Sequence, residues 1–345
     1  MKGKILVTGG TGYIGSHTAV ELINSGYEVV IVDNLSNSRI EVLDGIKSIT
    51  GVRPEFHQID LKDGSKVKEL FEKSNDIHAI IHFAAYKAVG ESVAKPLEYY
   101  ENNIGSLINL IQNMRNSNAK HIVFSSSCTV YGQPDQLPVT EKAPIKMAES
   151  PYGNTKQICE EILQDSVGAY DGLNCISLRY FNPIGAHPSA HIGELPQGVP
   201  DNLVPFITQT AIGLRDELKV FGNDYNTPDG SCIRDYINVV DLSKAHVLAI
   251  GRLLESKNKL PLEVFNLGTG KGVSVLEIIN AFEKSTKVKI QYKIVDRRPG
   301  DVEQVWADTE FANKELGWNA QTPLEDTMRS AWEWEKKIRE ELKKK

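Results

Sequence analysis

The chain has 345 residues, of which 41% are hydrophobic and 24% are charged, and this composition is typical of a folded protein with a large core. A formal net charge of -6 and the lack of a basic stripe argue against a nucleic-acid partner. No apolar run reaches the roughly eighteen residues of a membrane span, and the four cysteines lack metal-ligand spacing, so we expect a cytoplasmic protein without membrane segment, metal or disulfide.

Strands and helices alternate through the first half of the chain. Six apolar runs are predicted strands: KILV, EVVIVD, EFHQID, AIIHFAA, HIVFSSS and CISLRYF. Four stretches between them have helical periodicity: SHTAVELINSG, SKVKELFEKS, PLEYYENNIGSLINLIQNMRNSN and SPYGNTKQICEEILQDSVGAY. This alternation, with several strands apolar on both faces, predicts an α/β fold, a Rossmann-type doubly wound parallel sheet covered by helices.

The alternation of strands and helices ends after Asn182. Proline- and glycine-rich loops, beginning with NPIGAHPSAHIGELPQGVPDN, precede mixed short elements. We therefore assign residues 1–182 to a Rossmann domain and residues 183–345 mainly to a smaller C-terminal α+β substrate lobe. Some segments of the second span are expected to return to the first domain.

A glycine turn follows the first predicted strand and opens the first helix. In VTGGTGYIG, Gly9, Gly12 and Gly15 let backbone N–H groups approach a pyrophosphate at a helix N-terminus. Asp33 ends the second strand, at the spacing expected for a carboxylate on the ribose hydroxyls of a dinucleotide. Because a carboxylate there repels a 2′-phosphate and the next two residues are uncharged, the sequence favours NAD over NADP.

A tyrosine and a lysine in SPYGNTK stand one helical turn apart. Tyr152 and Lys156 therefore share one face of a predicted helix. An ammonium and a positive nicotinamide ring both favour phenolate, so we expect the pKa of Tyr152 to fall below its usual value of about 10. Phenolate can then take the proton from an alcohol whose carbon gives up a hydride. Ser127, at a predicted strand end, is expected to hydrogen-bond the same hydroxyl.

Together these motifs resemble the extended short-chain dehydrogenase/reductase superfamily. Five further stretches are similar to the UDP-glucose 4-epimerase family: KAVGESVAKPLEYYENN, RYFNPIGAHPS, PQGVPDNLVPFI, FGNDYNTPDGSCIRDYINVVDLSKAH and RRPGDVEQVWAD. The resemblance covers essentially the whole chain. It implies that bound NAD oxidises carbon 4 of a UDP-linked hexose and that the keto-sugar turns over before the hydride returns to its other face.

The same resemblance implies the site residues. The catalytic positions are Ser127, Tyr152 and Lys156. The cofactor positions, besides the glycines and the catalytic pair, are Tyr13, Ile14, Asp33, Asn34, Leu35, Ser36, Asn37, Ser38, Asp60, Leu61, Phe83, Ala84, Ala85, Tyr86, Lys87, Asn102 and Phe181. The substrate positions, besides Ser127 and Tyr152, are Asn182, Asn202, Leu203, Phe221, Arg234, Arg298, Asp301 and Val305.

Several of these substrate positions have a chemical interpretation. Two phosphates call for guanidinium groups, a role that the resemblance gives to Arg234 and Arg298, while Asp301 would hold a ribose hydroxyl. Val305 falls where the family carries residues of different size beside the hexose. A small side chain there leaves room for an N-acetyl group on carbon 2, so N-acetylated UDP-sugars are further candidate substrates.

Other interpretations remain open. A sugar-nucleotide 4,6-dehydratase or decarboxylase of the same fold is disfavoured, because Cys128 and Thr129 occupy the places where those families carry acidic residues. A non-catalytic dinucleotide sensor would not need Tyr152 and Lys156.

The resemblance also implies a homodimer that pairs residues 96–118 and 151–170. Four side chains would contact either the partner or their own sheet: Tyr99, Tyr100, Ile158 and Ile162.

Overall fold

The computed structural model describes residues 2–298 and 302–344. Its strands, in chain order, are β1 (Lys4–Thr8), β2 (Glu28–Asp33), β3 (Glu55–Gln58), β4 (Ile77–His82), β5 (His121–Ser127), β6 (Asn174–Tyr180), β7 (Asn182–Ile184), β8 (Leu218–Phe221), β9 (Ile233–Arg234), β10 (Tyr236–Asn238), β11 (Leu262–Leu267), β12 (Val273–Ser274), β13 (Tyr292–Val295) and β14 (Gln304–Val305).

The α-helices, in chain order, are α1 (Tyr13–Asn24), α2 (Val42–Thr50), α3 (Gly64–Lys73), α4 (Val89–Ala94), α5 (Pro96–Met114), α6 (Pro151–Ala169), α7 (Leu203–Ala211), α8 (Val239–Leu254), α9 (Val275–Thr286), α10 (Glu310–Glu315) and α11 (Leu324–Lys344). A 3-10 turn covers Cys128–Tyr131, directly after β5. None of the described helices is both long and apolar enough to cross a membrane.

Seven strands form one large parallel sheet in the order β11-β6-β5-β4-β1-β2-β3. Consecutive side chains of a strand enter different layers, because a strand alternates its faces. Ile5 and Val7 of β1 pack in the layer with α1, α2 and α8, whereas Leu6 packs in the layer with α3, α5 and α6. This arrangement confirms the predicted doubly wound α/β sheet.

A smaller set of elements lies beyond β6. Short sheets pair β7 with β10 and β8 with β13, and place β9 between β12 and β14. Side chains from α7, α9 and α11 share a separate apolar cluster with β8. Between these elements α8 and β11 rejoin the large sheet, with β11 pairing parallel to β6. The carboxyl ends of β5 and β6 therefore lead into the small lobe.

Tyr99 contacts its own chain. Its side chain is 1% exposed, and its hydroxyl donates to Glu91 Oε2 at 3.0 Å and accepts the Ala88 N–H at 3.1 Å. Among the four side chains considered for a dimer interface, Tyr99 thus belongs to the interior. Tyr100 accepts a hydrogen bond from Asn154 Nδ2 at 2.7 Å, which places it at the junction of α5 and α6.

Candidate active site

The glycine turn between β1 and α1 forms a tight backbone cradle. Gly9 has φ 66 and donates its N–H to Val32 O at 2.7 Å. A Cβ on Gly9 would lie 2.8 Å from Ala84 N, and one on Gly15 would lie 2.3 Å from Gly9 O. No side chain in the described part of the chain caps α1, whose N-cap is Gly12. Among the described residues, the first-turn amides therefore lack a side-chain partner, and they lie beside a turn whose glycines allow close backbone approach, which fits a pyrophosphate.

Asp33 ends β2 beside this cradle. Its Oδ2 accepts the Thr11 N–H at 3.2 Å, while Oδ1 accepts the Leu35 N–H at 2.9 Å and the Ser38 hydroxyl at 3.0 Å. An ionised carboxylate offers about four acceptor sites, so Oδ2 can still accept a ribose hydroxyl. The carboxylate is thus held in place by the predicted cofactor loop itself, with Leu35 at a positive φ of 60.

The neighbouring strand ends carry the other predicted adenosine-side residues. Asn34 Nδ2 donates to Asp60 Oδ2 at 3.4 Å, which joins the ends of β2 and β3. The Ser36 N–H donates to Asn34 Oδ1 at 3.0 Å. Leu61 is buried in the layer with α3 and α5. The structure therefore brings these polar side chains to one edge of the sheet.

The segment after β4 is fixed by backbone hydrogen bonds. Phe83 and Ala84 donate their N–H groups to Thr8, at 3.1 Å to its carbonyl and 3.4 Å to its hydroxyl. The Tyr86 N–H donates to Asn103 Oδ1 at 2.8 Å, and buried Asn102 donates to the same oxygen at 3.0 Å. The segment 83–87 consequently begins beside the glycine turn.

Glu194 connects a predicted cofactor residue, Lys87, with a predicted substrate residue, Asn202. Its Oε1 accepts Lys87 Nζ at 3.0 Å and Asn202 Nδ2 at 2.6 Å. Tyr13 connects the same regions, because its hydroxyl donates to Gly185 O at 2.7 Å. Glu194 was not predicted from the sequence, since Lys87 is 107 residues away in the chain and no motif marks the contact with Asn202.

Tyr152 and Lys156 lie in the first turns of α6. The helix begins with Pro151, after Ser150, whose side chain accepts a backbone N–H of the first turn at 3.2 Å. Lys156 is 4% exposed, donates to Ser125 O at 2.6 Å and places Nζ 5.9 Å from the ring centroid of Tyr152. The helix thus presents both side chains to the end of β5.

Burial dominates the protonation of this pair. It raises the pKa of Tyr152 to about 12, while the hydrogen bond with Ser127 acts in the opposite direction. It also lowers the pKa of Lys156 to about 8. In the protein without cofactor the pKa of Tyr152 therefore lies above its ordinary value, whereas the predicted lowering included the charge of a bound nicotinamide ring. The reason is that desolvation disfavours phenolate, and Lys156 Nζ is bonded to the backbone carbonyl of Ser125 rather than to the phenol.

Ser127 and Cys128 join the catalytic face to the small lobe. The Ser127 side chain is 8% exposed and accepts the Thr129 N–H at 3.2 Å, which caps the 3-10 turn. Burial raises the pKa of the Cys128 thiol to about 12, against the charge of Arg234. The charge of Arg234 therefore acts on the thiol that follows Ser127.

Arg234 occupies the central strand of a short three-stranded sheet. In β9 it pairs with Val273 on one side and with Val305 on the other. Asp235 follows it, fully buried, and accepts the N–H groups of Thr269 at 2.7 Å and Ala307 at 3.2 Å. These bonds fix the backbone at Arg234 and hold Val305 next to it.

The other predicted substrate positions that the structure describes lie on several elements. The Asn182 N–H donates to Asp235 O at 2.9 Å, and Leu203 begins α7. Phe181 and Val305, 5% and 8% exposed, share an apolar cluster. The Arg298 guanidinium carbon lies 5.6 Å from the ring centroid of Phe221. Asp301 lies outside the described residues.

Known proteins resemble this chain along almost its full length. The family model described as GDP-mannose 4,6 dehydratase matches residues 6–331. UDP-glucose 4-epimerase of Dictyostelium discoideum is 52% identical over 332 residues, covering 96% of this chain and 95% of that protein.

Solved structures give the same result. UDP-glucose-4-epimerase from Stenotrophomonas maltophila, with bound NAD and formylated UDP-arabinopyranose, has a TM-score of 0.94 and 47% identity, covering 98% of this chain and 99% of that one. UDP-glucose 4-epimerase from Bifidobacterium longum, in complex with NAD+ and UDP, has a TM-score of 0.92 and 46% identity, covering 97% and 98%.

Proposed function

Since the chain belongs to the UDP-glucose 4-epimerase family, we propose that it is an NAD-dependent isomerase that interconverts UDP-glucose and UDP-galactose at carbon 4. One observation supports this function above the others. Tyr152 and Lys156 share a face of α6 beside Ser127, at the carboxyl ends of parallel strands and near a glycine turn that fits a dinucleotide.

Each residue of the catalytic face has a proposed part in proton transfer. When bound, NAD supplies the acceptor and donor of a hydride. Tyr152 exchanges the proton of the sugar hydroxyl on carbon 4, and Ser127 hydrogen-bonds the same oxygen and orients it. Lys156 provides positive charge below the ring of Tyr152, where its Nζ is fixed by the carbonyl of Ser125.

Two regions of the chain would hold the ligands. The first-turn amides of α1 and the Asp33 carboxylate suit the pyrophosphate and ribose of NAD. Arg234 and Arg298 suit the diphosphate of a UDP-hexose, which stays fixed while the hexose turns. We propose the matching division of the chain into a cofactor domain, residues 1–182, and a mainly sugar-binding lobe, residues 183–345.

A dehydratase reaction fits the site less well, although the matching family model bears a dehydratase name. Elimination across carbons 5 and 6 needs an additional acid and base. Cys128 and Thr129 follow Ser127, and burial raises the pKa of the Cys128 thiol to about 12, so this thiol stays protonated at neutral pH. The two residues after Ser127 therefore do not supply the additional acid and base that elimination needs, whereas Tyr152 and Lys156 suit oxidation and reduction at carbon 4.

The assay is direct. The purified protein is incubated with UDP-galactose without added cofactor, and UDP-glucose formation is measured by chromatography. We expect conversion to an equilibrium mixture in both directions. A dehydratase would instead form a 4-keto-6-deoxy sugar, and a non-catalytic sensor would leave UDP-galactose unchanged, so either result contradicts the proposal.

We also propose N-acetylated UDP-sugars as substrates. Val305 adjoins Arg234 in the short sheet and packs with Phe181. A valine there leaves more space beside the hexose than an aromatic ring would, and an acetamido group on carbon 2 needs such space.

Two further proposals concern assembly and location. A homodimer through α5 and α6 is supported by apolar side chains at their outer surface, among them Ile108 at 38% exposure.

A cytoplasmic location is supported by the four cysteines, all of which are free thiols.

A further inference from the structure

A mostly buried carboxylate lies one helical turn beyond Lys156 on α6. Glu160 continues the stripe of Tyr152 and Lys156, since the three residues follow each other at intervals of four. It faces Arg179 of β6, and the two side chains are 11% and 8% exposed. Arg179 Nε donates to both carboxylate oxygens, at 2.9 Å and 3.2 Å, and a terminal guanidinium nitrogen adds a further hydrogen bond. The contact is therefore a multiply hydrogen-bonded ion pair.

The pair holds both sides of the turn that begins at Ser127. Before Ser127, the Ser126 hydroxyl donates to Glu160 Oε1. After it, Arg179 donates to the Tyr131 hydroxyl at 3.0 Å, and Tyr131 in turn donates to Asn266 Oδ1 at 2.7 Å. Ser126 is 1% exposed, and Tyr131 and Asn266 are fully buried. Every polar group in this chain of contacts has a partner, so the network is rigid.

The proposed active site is assembled from separate elements. Ser127 comes from β5, whereas Tyr152 and Lys156 come from α6. Lys156 makes one connection between the two elements, through Ser125 O. Gln157 of α6 makes another, because its Nε2 donates to Val130 O in the turn at 2.8 Å. The Glu160–Arg179 pair adds a further connection, because it binds Ser126 before the turn and Tyr131 at its end. Such support matters, since a misplacement of about 1 Å can cost roughly a hundredfold in rate.

We propose that Glu160 and Arg179 are positioning residues that set the distance between the Ser127 hydroxyl and the Tyr152–Lys156 pair. The inference rests on the proposed function, in which these three side chains act on the sugar hydroxyl. Loss of the pair lowers kcat and leaves KM nearly unchanged, because the nucleotide of the substrate is held by other residues.

The test replaces both charges at once, E160L with R179M, because a single substitution would leave a buried charge without its partner. The chain offers a matched control. Arg252 and Glu263 form another buried ion pair, 10% and 5% exposed with hydrogen bonds of 2.7 Å and 2.9 Å, between α8 and β11. With UDP-galactose, we expect E160L/R179M to lose at least about tenfold in kcat at a KM within about twofold, while R252M/E263L keeps its kcat.

A second measurement does not depend on turnover. Cys128 lies in the turn that the pair holds, so the rate at which a maleimide labels it in the holoenzyme reports how firmly the turn is placed; mass spectrometry identifies the labelled peptide. We expect faster labelling in E160L/R179M than in wild type or R252M/E263L.

The outcomes separate the two proposals. An unchanged kcat, an unchanged labelling rate, or equal losses in both double variants overturns the positioning role. A wild type that does not convert UDP-galactose contradicts the proposed function, and the labelling rates then decide the positioning role. If E160L/R179M does not fold, E160Q/R179M, which also removes both charges and keeps the shape of the Glu160 side chain, is judged by the same criteria in both assays.

Discussion

Burial sets the acid–base properties of the two residues proposed for proton transfer, Tyr152 and Lys156. It raises the pKa of Tyr152 to about 12 and lowers the pKa of Lys156 to about 8. Both shifts favour the neutral form, since a poorly solvated site disfavours phenolate and ammonium alike. In the protein alone Tyr152 is therefore a phenol, which can donate its proton to a sugar oxygen, while Lys156 keeps its charge until the pH rises to about 8.

Removal of the Tyr152 hydroxyl tests the proton transfer. Tyr152→Phe should reduce kcat at least about a hundredfold, the scale of general acid–base catalysis, and leave NAD binding and the melting temperature almost unchanged. Tyr170→Phe, at the far end of α6, is the matched control and should keep wild-type turnover. A folded Tyr152→Phe variant with near-normal kcat contradicts the assignment.

Removal of the Asp33 carboxylate tests the choice of cofactor. Asp33→Ala should weaken NAD binding at least about tenfold and narrow the preference over NADP, because it removes both the ribose acceptor and the charge that repels a 2′-phosphate. Asp33→Asn keeps most acceptors for the N–H groups of Thr11 and Leu35, and so isolates the effect of charge. Calorimetry with both cofactors measures the difference, and equal use of NADP by wild type contradicts the interpretation of Asp33.

A larger side chain at Val305 tests the sugar pocket. Val305→Tyr should suppress conversion of UDP-N-acetylgalactosamine and spare UDP-galactose, since over-packing by a ring costs roughly 1–3 kcal/mol where the acetamido group would lie. Val305→Ala should retain both reactions. The ratio of kcat/KM for the two sugars is the measurement, and a wild type inactive on N-acetylated sugars contradicts the pocket argument.

Sequence spacing identifies some of these residues and not others. Tyr152 and Lys156 were predicted because their relation is local, one turn of a helix. Glu160 and Arg179 were missed because their contact joins two elements, and a charged residue on a helix is usually exposed. The rise in the pKa of Tyr152 in the protein without cofactor was not predicted, because the sequence shows a charged neighbour but not the depth of burial.

At the scale of elements, fully buried strands were predicted best. The runs for β2 and β5 agree with the structure at both ends, and both strands are buried along most of their length. Helices α2 and α4 were missed, since both are short and follow loop-like sequence. The predicted α1 began late, because the glycine turn hides its first residues Tyr13 and Ile14.

The contact between α1 and the preceding turn can be tested with one methyl group. Gly15→Ala places a Cβ 2.3 Å from Gly9 O, so the helix start must move away from the turn. We expect a loss of roughly 1–3 kcal/mol in unfolding free energy and weaker NAD binding. Gly105→Ala in α5 meets open space and should instead stabilise by up to about 1 kcal/mol. Thermal unfolding of both variants, with and without NAD, measures the changes in stability and in NAD binding. Equal changes in the two variants contradict the close-packing argument.

At the scale of the molecule, the two groups of elements meet around the proposed site. Tyr13 of α1 bonds to Gly185 O, and Glu194 accepts hydrogen bonds from Lys87 and Asn202. The chain also returns to the large sheet through α8 and β11. The sequence predicted that some segments would return, but not which ones, because their pairing depends on contacts between distant residues.

The proposed dimer is the last property of the whole molecule to be tested. Ile108 of α5 is 38% exposed, and Ile158 and Ile162 of α6 are half-buried, so a charge at Ile108 should prevent two copies from packing through these helices. Ile108→Asp should therefore sediment as a monomer at concentrations where wild type is a dimer. Leu248→Asp, at a similarly exposed apolar site of α8 (41%), should leave the dimer intact. If both variants sediment as wild type does, the interface lies elsewhere, and a monomeric wild type contradicts the dimer itself.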